Sequence, residues 1–229
     1  MNLRDFHNLH RDQVGWVFGR GANTFDYRRI ADIDGPCFFI NDAVANEVHM
    51  SHGAGYWFAL DDGHHGHLPG LRCLPVLHEG GWASAHLPAL ERALWWRQDP
   101  TSWNHWPLDL MAHAGLLFTR LGTICPLLHF AWWVGVRRVK LVGCDGIQVV
   151  DMSGLKPGWD DRLPNLSGKT GGCVYGLIRK LQDELMARLG LEAEYVGTPT
   201  QPSSQPPLPG QMPERRRQPS PAPAMLVAP

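Results

Sequence analysis

Gly15-Trp16-Val17-Phe18-Gly19-Arg20-Gly21-Ala22-Asn23 is the stretch on which the fold turns. A short apolar run without polar alternation suits a strand covered on both faces, as in a parallel sheet. It closes in a Gly-x-Gly turn, whose missing side chains let backbone amides approach a phosphate. The same grammar recurs along the chain. Cys37-Phe38-Phe39-Ile40 ends at Asn41-Asp42, and Tyr56-Trp57-Phe58-Ala59-Leu60 ends at Asp61-Asp62-Gly63. Arg138-Val139-Lys140-Leu141-Val142 ends at Gly143-Cys144-Asp145-Gly146, Leu71 to Leu77 is a further strand candidate, and Ala193 to Val196 reads as the last.

Helical patterns fill the gaps. Ser84 to Trp96 carries Leu87, Leu90 and Leu94 at helical spacing, which predicts a helix there. Thr123 to Val134 is apolar nearly all round, as a helix sandwiched against a sheet should be, with Thr123 the expected N-cap and Gly135 the stop. Gly172 to Leu189 is amphipathic: Val174, Ile178, Leu181, Leu185 and Leu189 face one way, and Gly190 ends it. Alternating strands and helices predict an α/β fold, a single doubly wound, mostly parallel, Rossmann-like sheet.

Composition bounds the possibilities. The chain has 229 residues, 44% of them hydrophobic and 19% charged, which is ordinary for a globular protein. Lys plus Arg (21) nearly balances Asp plus Glu (22), so no overall field recruits nucleic acid or an anionic membrane, and any anion site must be local. The five cysteines are scattered without a C-x-x-C pair, as expected of reduced, buried thiols. The N-terminus lacks an apolar signal region, and the longest apolar stretch, Ile124 to Val136, contains His129 and is too short for a span. The expectation is a cytoplasmic protein with no transmembrane segment. From Thr198 onward ten of the nineteen prolines appear, with Arg215-Arg216-Arg217 among them. Residues 1–197 are therefore expected to form the folded domain. Residues 198–229 are expected to be a disordered Pro-rich tail, which offers a motif for a protein partner.

The polar clusters closing the four strands carry the functional argument. Ligands of open α/β sheets bind in the crevice beyond the carboxyl ends of the strands, so these clusters would converge if their strands are parallel neighbours. Gly19 and Gly21 would then approach phosphate, while Asn41, Asp42 and Asp61 would hydrogen-bond sugar or base; each has the alternative reading of a strand-end turn residue.

At these residues the chain resembles a known family. Val17 to Tyr27 followed by Phe39-Ile40-Asn41-Asp42 is similar to the opening of bacterial sialyltransferases of the Campylobacter type. It is similar also to the related Rossmann-like proteins that include the archaeal 6-hydroxymethylpterin diphosphokinases. Thr119-Arg120-Leu121-Gly122-Thr123, the apolar helix after it and the strand ending Gly143-Cys144-Asp145 resemble a later block of the family. The resemblance is one of motifs and covers most of residues 14–146. It implies a nucleotide-binding loop at Gly19, Arg20 and Gly21, with Ala22-Asn23 where the family has Pro-Ser. It also implies nucleotide contacts at Asn41 and Asp61, and a donor-contacting helix start at Arg120, Gly122 and Thr123. Before the last long helix, where the sialyltransferases carry a general-base His, Asn165 to Gly172 has none.

Three further stretches bear on chemistry. Ser167-Gly168-Lys169-Thr170-Gly171-Gly172 is a Gly-rich helix start carrying a Lys, an anion site without the full phosphate-loop pattern, because position 163 is Leu163. Asp61-Asp62-Gly63-His64-His65-Gly66-His67 has the residue types of a Zn or Mn site, but consecutive loop residues seldom converge on one ion, so no metal is assigned. His64 is the candidate to replace the absent base. Trp103-Asn104-His105-Trp106 is a candidate lining for an acceptor pocket.

The reading is a transferase that uses a nucleotide-activated donor, most like a glycosyltransferase. It needs no metal, and Arg120 and Lys169 stabilise the leaving group. Its acceptor is not specified by the sequence. One rival is a diphosphokinase-like enzyme with Mg²⁺ held by Asp61, Asp62 and Asp145. Another is a non-catalytic nucleotide-binding module whose tail recruits a partner.

Overall fold

Apolar residues at every position of a strand call for cover on both faces, and the computed structural model of the chain provides it. The structure describes residues 1–19, 33–50, 52–60, 70–80, 90, 92–98, 108–119, 122–144 and 171–196. Eight parallel strands form one sheet: β1 (Val14–Phe18), β2 (Cys37–Ile40), β3 (Gly55–Ala59), β4 (Leu74–His78), β5 (Leu94–Gln98), β6 (Leu116–Leu117), β7 (Arg138–Val142) and β8 (Glu192–Val196). Their order is β6-β5-β4-β3-β2-β1-β7-β8. The chain winds outward from β1 to β6, then crosses back to β7 on the other side of β1, so the strand order reverses between β1 and β7. This is the doubly wound α/β architecture expected from the sequence.

Side-chain alternation along each strand divides the core in two. Val17, Phe38, Tyr56, Phe58, Val76, Leu94, Trp96, Val139 and Leu141 share one face with helices α1 (Leu108–His113), α2 (Ile124–Trp133) and α3 (Gly171–Leu189). Trp16, Phe18, Cys37, Phe39, Trp57, Ala59, Leu77 and Val142 point to the other, where Ala43, Val44 and Met50 pack on them from around a 3-10 segment, Asn41–His49. α2 is buried nearly all round and lies against β2, α1 and α3, as its uninterrupted apolar sequence requires. Gly135 ends it with φ +101 and packs so closely on the N-terminal segment that an added Cβ would lie 2.8 Å from the Arg11 nitrogen.

His129 is the one imidazole in this apolar helix, and it is wholly buried. Its Nδ1 accepts from the Phe118 amide at 2.9 Å, which leaves Nε2 as the donor to the Leu108 carbonyl at 2.9 Å. The ring therefore ties α2 to α1 and to the end of β6. A second buried His fixes the N-terminal segment: His10 lies 2.6 Å from the Tyr56 hydroxyl through Nε2 and 3.2 Å from Gln13 Oε1 through Nδ1. Since the amide oxygen only accepts, Nδ1 carries the proton and Tyr56 donates to Nε2. Burial lowers the His10 pKa, against an opposing contribution from the Gln13 bond.

One sequence expectation is corrected and another refined. Leu94 to Trp96, read as the end of a helix, begins β5, with Leu94, Trp95 and Trp96 opposite Val76, Leu77 and His78. Ala93-Leu94-Trp95-Trp96 is a short continuous apolar run, and for such runs periodicity alone does not separate strand from helix; residues 84–89 and 91 lie outside the described residues. Thr123 does hold the N-cap position of α2, but with helical dihedrals and no capping bond from its side chain; its hydroxyl is used elsewhere, as described below. Four cysteines, Cys37, Cys73, Cys125 and Cys144, are buried and unbridged. Among the described residues no helix is long and apolar enough to cross a membrane. The proline-rich stretch from Thr198 lies outside the described residues.

Candidate functional site

The strands that end in polar clusters are β1, β2, β3 and β7, and they are contiguous in the sheet as β3-β2-β1-β7. Because all are parallel, their carboxyl ends lie along a single edge, which includes the order reversal between β1 and β7. That placement depends on pairing between segments more than a hundred residues apart, such as Val17 opposite Leu141.

Asn41 stands at the end of β2 in the left-handed region, φ +52, a conformation Asn tolerates better than most side chains. The Trp57 indole of β3 donates to its carbonyl at 2.9 Å and holds the turn. The Thr123 hydroxyl donates to Asn41 Oδ1 at 3.4 Å across a separation of 82 residues. Thus the start of α2 meets the end of β2 through Asn41, which the family resemblance puts on the nucleotide, and Thr123, which it puts in the donor-contacting helix start. Gly122, with φ +91, turns the chain into α2, whose first turn carries no acidic residue. A helix N-terminus of that kind brings positive potential to the edge, although Pro126 has no N–H and the Leu127 amide is bonded to the Thr123 carbonyl at 3.4 Å. Asp42 follows Asn41 and is buried, 3% exposed.

Gly19 has a reason to be glycine that is independent of any ligand. Its amide continues the β1–β7 ladder by donating to the Val142 carbonyl at 2.8 Å. An added Cβ would lie 2.4 Å from the Gly143 oxygen and 2.8 Å from Cys144 Sγ. Cys144 in turn is buried with its thiol against the Val17 and Val142 carbonyls, at 3.8 and 3.5 Å. From α3, Gln182 donates to the Cys144 carbonyl at 3.4 Å and to the Tyr195 hydroxyl at 2.8 Å. Tyr195 donates to Asp183 at 2.9 Å; burial, and then the Asp183 bond, raise its pKa. This Gln182–Tyr195–Asp183 chain buttresses the end of β7. No sequence signal marks it, because the residues are ordinary for an amphipathic helix and an outer strand.

Of the residues singled out from the sequence, the structure brings together Gly19, Asn41, Asp42, Gly122 and Thr123 along this edge. Arg20, Gly21, Asn23, Asp61, His64, Arg120, Asp145 and Lys169 lie outside the described residues, as do His65, His67 and Trp103 to Trp106. No protein-family model matches the chain, and no curated protein matches it in sequence.

Proposed function

We propose that the carboxyl edge around Asn41 and Thr123 binds a nucleotide, and that the protein is a transferase using a nucleotide-activated donor, glycosyl transfer being the favoured reaction. The observation that carries this reading is the Asn41–Thr123 contact, made beside the order reversal of the sheet. On this reading the α2 start takes the phosphates and Asn41 the nucleoside. Arg120 and Lys169 supply charge to the departing nucleotide, so that rate comes from positioning and from stabilising that charge. Such a reaction needs no bound metal.

Calorimetric titration with CMP, CDP, UDP, GDP and ATP, with and without Mg²⁺, tests it. Binding of a cytidine or uridine nucleotide without metal is expected, and it should be lost in Asn41→Gly. That variant keeps the left-handed backbone while removing the amide, and is therefore cleaner than Asn41→Ala. Mg²⁺-dependent ATP binding would instead favour pyrophosphate transfer, with Asp61, Asp62 and Asp145 as ligands. Binding without any transfer or hydrolysis would favour a non-catalytic module. No binding at all would reject the nucleotide reading.

A further inference from the structure

At the opposite, amino edge of the sheet three side chains of metal-ligand type converge. Glu47 comes from the 3-10 segment after β2, His52 from the approach to β3, and Cys73 from the residue just before β4. Their ligand atoms all lie within 4.8 Å of one another. Cys73 Sγ is 2.8 Å from Glu47 Oε1, and His52 Nε2 is 3.2 Å from the same oxygen. Side chains of Glu47 and His52 are only 3% and 4% exposed, and Cys73 is 1% exposed.

From this geometry we infer a Zn²⁺ site in which Glu47, His52 and Cys73 supply three of the four tetrahedral ligands and a water the fourth. Tetrahedral zinc with ordinary Zn–S, Zn–N and Zn–O lengths separates its ligand atoms by about 3.3–3.8 Å, so the 2.8 Å Cys73–Glu47 separation must open by about 0.5–1 Å while the 3.2 Å His52–Glu47 separation is already close to that range. Two observations distinguish it from a set of neutral core groups. Both ring nitrogens of His52 are buried without a hydrogen bond among the described residues: Nε2 is near Glu47 but off the line of a bond, and Nδ1 has no partner. An imidazole so placed keeps only the 3.2 Å approach of Nε2 to the Glu47 carboxylate, and a metal bond to one nitrogen would make good the hydration lost on burial. Gly55 is the second: a Cβ there would lie 2.5 Å from Cys73 Sγ and 2.7 Å from His52 Cε1, so glycine is what admits both side chains to the same space.

The surroundings supply an outer shell. Glu47 Oε2 accepts from the Arg72 amide at 3.2 Å, which orients the carboxylate and turns Oε1 toward His52 and Cys73. The Arg72 guanidinium donates to the backbone carbonyls of Glu47 and Met50, fixing the segment that carries the carboxylate. Its Nε, 3.9 Å from Oε1, is the competing cation, and more than half of that side chain is exposed. Binding exchanges the Cys73 thiol proton for the ion: the S–H bond breaks, a Zn–S bond forms, and one proton leaves to solvent. Thiolate, imidazole and carboxylate together favour Zn²⁺ over Mg²⁺ or Ca²⁺. Burial of all three ligands makes the role that of a clamp joining the 3-10 segment after β2 to the starts of β3 and β4, separate from the nucleotide reading of the other edge.

Co²⁺ titration of the metal-stripped full chain, followed by visible and near-ultraviolet absorption, tests the site. One equivalent should give tetrahedral d–d bands with a thiolate-to-cobalt charge-transfer band, and Zn²⁺ should displace both. Cys73→Ser should lose the charge-transfer band, and His52→Gln should weaken binding by at least the roughly 10–100-fold that loss of an outer-shell partner costs. Replacing His64, His65 and His67 by Ala should leave the spectrum unchanged. Absence of a thiolate band in the folded chain, or its survival in Cys73→Ser, would overturn the inference. Should the variants fail to fold, alkylation of the unaltered chain decides: Zn²⁺ should protect Cys73 by at least tenfold in rate, and equal rates would overturn it.

Discussion

Replacing Gly19 by Ala separates a glycine kept for a ligand from a glycine kept for the sheet. Gly19 has no positive φ, so Ala is conformationally permitted, and in open space the change would stabilise by about 0.4–1 kcal/mol through the unfolded chain. Here the new methyl would stand 2.4 Å from the Gly143 carbonyl oxygen and 2.8 Å from Cys144 Sγ. The oxygen belongs to backbone and cannot rotate away, so the ends of β1 and β7 must part by more than half an ångström. Overpacking of that kind costs about 1–3 kcal/mol. The same parting stretches the 2.8 Å bond from the Gly19 amide to Val142, worth about 0.5–1.5 kcal/mol. After the entropic gain is subtracted, a net loss of about 0.5–4 kcal/mol remains. Urea unfolding followed by Trp fluorescence reads it as a lower midpoint. Gly53→Ala is the control: a Cβ there meets nothing within 4 Å, and the expected change is neutral to slightly stabilising. A Gly19→Ala protein as stable as Gly53→Ala would refute the close approach of β1 and β7.

His129→Leu should cost about 1–3 kcal/mol in the same assay, because the buried Phe118 amide loses its ring acceptor; a change below about 0.5 kcal/mol would contradict the tie between α2 and β6. Stability should also fall on acidification. His10 has its pKa lowered from the ordinary 6.5, by burial against the Gln13 bond, and His78 is lowered by burial against the Glu79 charge. The unfolded chain therefore takes up these protons first. Their contribution is whole above about pH 6.5 and is lost as pH drops through the folded values. His10→Gln should flatten the dependence between pH 7.5 and 5.5, and an unchanged slope would count against a neutral His10 donating to Gln13.

β1, β2 and β3 were legible in the sequence because parallel strands buried on both faces must be apolar throughout, and β7 because Val139, Leu141 and Val142 form a short apolar run closed by Gly143; the boundaries of all four fall within a residue of the expected ones. α2 and α3 were legible for a similar reason, one from its wholly apolar run and the other from its amphipathic stripe. β5 was not, since Leu87, Leu90 and Leu94 have helical spacing although Leu94 opens a strand. Asn41 could be singled out, but not that Trp57 holds its carbonyl, since that bond depends on β3 lying beside β2. The Glu47–His52–Cys73 cluster was hidden because its members spread over 26 positions without any ligand spacing. Only the packing of the 3-10 segment against the aligned starts of β3 and β4 makes them neighbours.

The two outermost strands bear on how copies of the chain meet one another. A sheet this wide has two lateral rims whose unpaired backbone groups are templates for another chain. One rim is β6, only two residues long, too short to seed an added strand. The other is β8, where Glu192 and Glu194 are exposed. A second copy laid along that rim would bring its own carboxylates against these and repel. The sheet can therefore be eight strands wide without inviting a ninth from a neighbour, so runaway β-polymerisation is discouraged at both rims.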